Sequence, residues 1–174
     1  MSDITLLGLI GWSGSGKTHL LTRLLPAFIA RGLTVSTIKH AHHGFDLDQP
    51  GKDSFEHRKA GAREVLVASS RRWALMHELD GPEPELAELL AHLSPVDLVL
   101  VEGFKASPHP KIEVHRAGLD RAMFWPERPD VVAVASDTTL PGCRVPVLDL
   151  ANTDAIVSWS LDFLGKNDAA QPEA

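Results

Sequence analysis

The residues Gly11-Trp12-Ser13-Gly14-Ser15-Gly16-Lys17-Thr18 fit the spacing G-x-x-x-x-G-K-[ST] without a mismatch. At average residue frequencies, a chance match in a chain this long is on the order of one per cent. The chemistry of such a loop is phosphate binding. Gly11, Gly14 and Gly16, with Ser13 and Ser15 between them, let backbone N–H groups turn inward on phosphate oxygens. The start of the following helix adds its positive partial charge. Lys17 then reaches the β- and γ-phosphates, and the Thr18 hydroxyl serves a Mg²⁺ ion. A Gly/Ser turn with a surface lysine is the bland alternative. It would not call for a buried strand before the loop and a helix after it, and both are present here.

A magnesium site of this kind needs a carboxylate from a neighbouring strand. The run Asp97-Leu98-Val99-Leu100-Val101-Glu102 offers two, about 16 Å apart if the run is extended. Ligands collect at the carboxyl ends of strands in open α/β sheets, and only Glu102 falls there. Gly103 behind it permits close backbone approach. This selects Glu102 for the metal, directly or through a water, over a glutamate that only ends a strand. Asp97 reads as structural.

The polar segment from Lys39 to Asp48 follows another strand end and should overhang the same crevice. Asp46 and Asp48 could hold a magnesium water or orient an attacking one. Lys52 and Arg58 could neutralise charge on the γ-phosphate. The same residues also read as a solvated loop with a helix cap at Asp53 or Ser54. His40, His42 and His43 are of a type that suits zinc, nickel or copper. No regular element fixes their geometry, and loop histidines without a metal are the commoner case.

The elements that must position these groups alternate in type. Ile4 to Ile10 is an almost continuous apolar run, as expected of a strand buried on both faces. Leu20, Leu21, Leu24, Leu25, Phe28 and Ile29 mark a helix, with Pro26 predicting a kink or a weakened turn and Gly32 ending it. Strands follow at Leu33–Ile38, Val65–Ala68, Trp73–Met76, Leu98–Val101 and Val131–Ala135. A tight turn at Ser70-Arg71-Arg72 makes the second and third of these a hairpin. Ile112 to Val114 reads as a short edge strand. Helices are expected around Ser54–Ala62, along Leu86, Leu89, Leu90 and Leu93, and after Asn152 or Thr153. The last of them should bury Ile156, Val157, Ser160, Phe163 and Leu164. The pattern is α/β: a three-layer P-loop NTPase with a mostly parallel sheet covered on both faces and a small β-hairpin extension.

With 174 residues, 44% of them hydrophobic, the chain fits one domain over residues 1–165, with 166–174 as a disordered tail. Its 17 basic and 23 acidic residues give a net charge of -6, which speaks against non-specific nucleic-acid binding. The single cysteine, Cys143, excludes an internal disulfide and a cysteine-rich zinc site. The start Met1-Ser2-Asp3 lacks a basic leader, and no apolar run reaches membrane-spanning length, so a soluble, cytoplasmic protein is expected.

Taken in order, Gly11 to Thr18, Asp46-Leu47-Asp48-Gln49-Pro50-Gly51-Lys52-Asp53-Ser54, Arg58-Lys59-Ala60-Gly61-Ala62 and Val101-Glu102-Gly103-Phe104-Lys105 resemble the MobB family. These are adapter proteins of molybdopterin-guanine dinucleotide biosynthesis. The resemblance runs from Ile4 to Leu164, and its Gly-Lys-Asp-Ser and Glu-Gly-Phe-Lys stretches are far more specific than the phosphate loop. It implies GTP and Mg²⁺ as ligands, a homodimer, slow GTP hydrolysis, and work beside the guanylyltransferase that attaches GMP to molybdopterin. It points to Lys17, Thr18 and Glu102 for nucleotide and metal, and adds weight to Asp46, Asp48, Lys52, Asp53 and Arg58, with Asp48 near the metal.

The usual Asn-Lys-x-Asp guanine motif is not evident. Asp137, after the strand ending at Ala135, could accept from the guanine N1–H and exocyclic amine, a geometry adenine cannot satisfy. It could equally start an Asx turn with Thr138 and Thr139. Trp12 stands where the signature-lysine ATPases carry a second loop lysine. Two other readings share the fold: a small-molecule kinase, and a metallochaperone GTPase using the His40 to His43 loop. Phe124 and Trp125, or the Trp73 hairpin, are candidates for a dimer surface.

Overall fold

The computed structural model describes residues 4–41 and 47–166. His42, His43 and Asp46, and the expected tail from 167 onward, lie outside them. The elements in order are β1 (Leu6–Ile10), α1 (Lys17–Ala30), β2 (Val35–Lys39), α2 (Asp53–Lys59), β3 (Glu64–Ala68), β4 (Trp73–His77), α3 (Leu86–Leu90), β5 (Leu98–Glu102), β6 (Lys111–His115), β7 (Val131–Ser136), β8 (Val147–Asp149) and α4 (Thr153–Phe163). A 3₁₀ turn, Ala117–Leu119, follows β6. Two compact units result: Met1–His40 with Leu90–Ala174, and Ala41–Leu89. Among the described residues no helix is long and apolar enough to cross a membrane.

The first unit holds a six-stranded sheet in the order β2-β5-β1-β6-β7-β8, with every pairing parallel. All six carboxyl ends therefore lie on one edge of the sheet. Leu7, Leu9, Leu98, Leu100, Ile112, Val114, Ala133 and Ala135 form one apolar face and join Leu20, Leu24 and Phe28 of α1 with Ile156, Val157 and Leu161 of α4 in a single core. Each such large side chain contributes about 1.5–3 kcal/mol by leaving water. Helix α1 runs unbroken through Pro26, which is exposed like Thr22 one turn earlier. The carbonyl that Pro26 leaves without a helical donor lies on this exposed side, so the proline interrupts the hydrogen-bond ladder without ending the helix.

The other sheet face explains the largest departure from the sequence reading. Strand β6 is not an edge; it lies between β1 and β7, and Lys111, Ile112, Glu113 and Val114 are all buried. Its polar residues are paired inside. The Lys111 ammonium donates to the carbonyls of Ser107 and His109 and to the Asp130 carboxylate. The Glu113 carboxylate accepts from the backbone N–H groups of Phe124 and Trp125 at 2.9–3.0 Å. Strand β8, unforeseen in the sequence, closes the sheet beside β7. Helix α4 is capped by the Asn152 side chain, which accepts from Ala155 N. It buries Leu161 in place of Phe163, which is exposed and stacked on Trp159.

In the second unit, α2 starts at Asp53 after Lys52, with no side-chain cap, so neither Asp53 nor Ser54 plays the capping part expected of it. Strands β3 and β4 pair antiparallel, and the Ser69 hydroxyl accepts from the N–H groups of Arg71 and Arg72 across the turn. Helix α3 is shorter than its leucine stripe suggested, ending at Leu90.

His109 generates a pH prediction. Burial, helped by the nearby Lys111 charge, lowers its pKa from 6.5 to about 4. The folded protein therefore holds it neutral where the unfolded chain would take up a proton. Stability is full above about pH 6.5 and should fall by about 3 kcal/mol as the pH drops toward 4. Urea titrations across that range check this, and His109→Leu should remove most of the slope.

Candidate functional site

The parallel ladder brings two of the selected groups into contact. Leu9 of β1 is in register with Glu102 of β5, and the Gly103 N–H donates to the Leu9 carbonyl at 3.1 Å. One turn beyond β1 the chain enters α1, so Thr18 stands beside Glu102. The Thr18 hydroxyl donates to Glu102 Oε1 at 2.7 Å. Glu102 is 7% exposed and also faces Lys39, its register partner on β2, with Nζ 3.8 Å from Oε1. A hydroxyl and a carboxylate oxygen side by side are hard donors of the kind Mg²⁺ takes. Among the described residues no group of three or more His, Cys, Asp or Glu side chains is placed to hold a metal ion.

The phosphate loop itself is formed. Gly11, Gly14 and Gly16 all take positive φ, a conformation open to glycine and strained for other residues. The Lys17 ammonium folds back onto the loop, donating to the carbonyls of Gly11 at 3.2 Å and Trp12 at 2.9 Å. Burial lowers its pKa; Glu102 acts in the opposite direction, and the like charges of Lys105 and Lys39 lower it further. The Ser15 hydroxyl is buried in the loop.

The loop is braced from the segment after β6. The Trp12 indole N–H donates to the Ala122 carbonyl at 2.7 Å, and its ring stacks on Phe124 at 5.1 Å. Arg116 Nε donates to the Ser15 carbonyl at 3.2 Å. The same guanidinium reaches toward Asp137, with Nη1 3.6 Å from Oδ2. Arg116 carried no signal in the sequence, because it follows a strand that reads as an edge.

Asp137 lies at the carboxyl end of β7, on the wall of a cleft of about 620 Å³ formed by residues 136–141 and 147–149. Its Oδ1 accepts from the Ala117 N–H at 3.0 Å. In the turn that follows, the Thr138 N–H donates to Ser136 Oγ rather than to the Asp137 carboxylate.

Of the remaining candidates, Asp48, Lys52 and Arg58 belong to the second unit, and Asp46 is outside the described residues. Arg58 Nη2 donates to Asp48 Oδ1 at 2.8 Å, and the guanidinium also lies over the Phe55 ring. Lys52 immediately precedes α2. Of the histidine cluster, His40 is described. It packs its ring against Phe104 at 4.8 Å, and its backbone N–H donates to the Glu102 carbonyl.

The family described as "Molybdopterin guanine dinucleotide synthesis protein B" matches residues 6–137. The molybdopterin-guanine dinucleotide biosynthesis adapter protein of Escherichia coli (strain K12) is 44% identical over 172 residues, covering 95% of this chain and 96% of that protein. The protein of the same name from Haemophilus influenzae is 42% identical, with 94% of each chain covered. Among solved structures, the MobB homologue from Bacillus stearothermophilus superposes with a TM-score of 0.70 at 26% identity, over 93% of this chain and 99% of that one. A molybdopterin-guanine biosynthesis protein B gives 0.72 at 27%, over 91% and 99%.

The tight turn behind Glu102 yields a stability prediction. Gly103 has φ +93°, and a Cβ there would stand 2.8 Å from His40 Cβ. Gly103→Ala should cost about 1–3 kcal/mol, measured by urea denaturation. Gly81→Ala, at a site with nothing within 4 Å, should be near neutral.

Proposed function

The chain belongs to the MobB family, and on that footing we propose that it is a GTP-binding adapter assisting the attachment of GMP to molybdopterin. The observation that carries the nucleotide part is the Thr18–Glu102 hydrogen bond beside a formed phosphate loop. The names of the Escherichia coli and Haemophilus influenzae relatives support the pathway.

In this reading the loop N–H groups and the start of α1 bind the phosphates. Lys17 exchanges its contacts with the Gly11 and Trp12 carbonyls for phosphate oxygens. Thr18 and Glu102 would hold Mg²⁺, which supplies charge neutralisation at the β- and γ-phosphates. Asp137 accepts from the guanine edge, and the adjoining cleft takes the base. Arg116, which reaches both the Ser15 carbonyl and this carboxylate, orients Asp137. Hydrolysis is slow: residue 12 is a tryptophan with no cation to offer.

The adapter works as a homodimer alongside the guanylyltransferase. The hairpin of β3 and β4 supports this, since Leu66, Trp73 and Leu75 are 60%, 66% and 41% exposed on a sheet of only two strands. Such a sheet is marginal alone, and apolar exposure of this kind marks an interface.

The test is a reconstituted dinucleotide synthesis with guanylyltransferase, molybdopterin and GTP. The parent chain should raise the rate of product formation, and Lys17→Ala should abolish the gain while remaining folded. An equal gain from Lys17→Ala would show that nucleotide binding plays no part in the adapter role.

A further inference from the structure

The run that leaves β5 ends in a cation, Lys105, to which the reading above gives no task. Its position is built by the backbone. Gly103 and Phe104 take φ of 93° and 46°, a left-handed pair that turns the chain sharply behind Glu102. Positive φ is uncommon for a bulky residue such as Phe104 and persists only where its surroundings enforce it. The His40 ring lies against Phe104, and Arg128 donates to the Lys105 carbonyl.

This turn delivers the Lys105 ammonium to 5.2 Å from the Trp12 ring centroid and 4.5 Å from that of Phe124. Trp12 is itself part of the phosphate loop. Among the described residues the ammonium meets aromatic faces and no carboxylate. Lys39 differs, because Glu102 already stands 3.8 Å from it. An aromatic face steadies a cation without neutralising it, so the charge of Lys105 stays available to an anion.

The anion expected at that place is the terminal phosphate. A loop lysine such as Lys17 spans the β- and γ-phosphates, and the metal side of the site is marked by Thr18 and Glu102. Lys105 follows Glu102 by three residues and lies over Trp12 of the loop itself. Lys105 is near enough to Lys17 to lower its pKa, and a terminal phosphate would relieve this crowding of like charges. Residue 12 offers an indole face where a second loop lysine would have offered its own ammonium.

Resting on the reading of this loop as a triphosphate site, we propose that Lys105 is a binding residue for the terminal phosphate and distinguishes triphosphate from diphosphate. It sits on the rings of Trp12 and Phe124 in the free protein and moves to the γ-phosphate oxygens when the triphosphate is bound. The nucleotide state is thereby transmitted to the segment around Phe124.

The experiment is calorimetric titration of the parent, Lys105→Ala and Lys105→Arg with GDP and with a non-hydrolysable GTP analogue, all in Mg²⁺. Lys105→Ala should lose about tenfold in affinity for the triphosphate and less than about twofold for the diphosphate. Lys105→Arg should restore most of the loss. Intact diphosphate binding also shows that the variant is folded. Equal losses for both nucleotides, or none, would overturn the proposal while leaving the phosphate-loop reading standing. A parent that binds neither nucleotide would overturn that reading, and this proposal with it.

Discussion

The hydrogen bond from the Thr18 hydroxyl to the Glu102 carboxylate requires two strands to run parallel, lie side by side and end at the same height. Each of those conditions has its own cause. Parallel strands need crossovers long enough to return the chain, and α1 is one of them. Adjacency needs β5 and β1 to be buried on both faces, which their uninterrupted apolar runs supply. The common height follows from register, with Leu9 opposite Glu102 and Lys39 opposite Glu102 on the other side. The same ladder then places Arg116 after β6 and Asp137 after β7 along one edge. That edge carries every group in the first unit to which the proposed chemistry is assigned.

Holding that edge in place falls to the polar face of the sheet. Lys111 has no exposed surface, and its ammonium is satisfied by two carbonyls and Asp130. The Lys111 and Arg128 partners hold the Asp130 carboxyl down at about 2 against the opposing effect of burial. Removing one partner from such a pair would leave a buried charge uncompensated, at a cost of about 3–5 kcal/mol. The arrangement does more than balance charge. Lys111 ties down the return segment at Ser107 and His109, and Glu113 ties down Phe124 and Trp125. Those segments in turn hold Lys105 and brace Trp12, so the rim of the phosphate loop is fixed by charges buried on one strand.

The phosphate loop and Glu102 were legible in the sequence because their signals are local: a fixed spacing, and an acid at the end of an apolar run. β1, α1, β5, β7 and the β3–β4 hairpin were legible for the same reason. Strand β6 reads as an edge in the sequence because Lys111 and Glu113 alternate with Ile112 and Val114, which is the pattern of a strand with one wet face. Their partners, Asp130 and the Phe124 and Trp125 N–H groups, are 11 to 19 residues away and give no local sign. Arg116 was missed with it. Phe163 was assigned to the core on helical spacing, yet Leu161 takes that place and Phe163 stacks on Trp159 at the surface. Lys105 lies inside the Glu-Gly-Phe-Lys stretch, but its surroundings depend on two left-handed residues that spacing does not reveal.

On the proposed function, the edge of the parallel sheet is a magnesium-dependent guanine nucleotide site. Calorimetric titration of the parent chain with GTP and with ATP, each with and without Mg²⁺, tests it most directly. GTP should bind in Mg²⁺ and lose affinity when the metal is withheld, while ATP should bind at least about tenfold more weakly under the same conditions. ATP binding as tightly as GTP, or GTP binding indifferent to Mg²⁺, would contradict it.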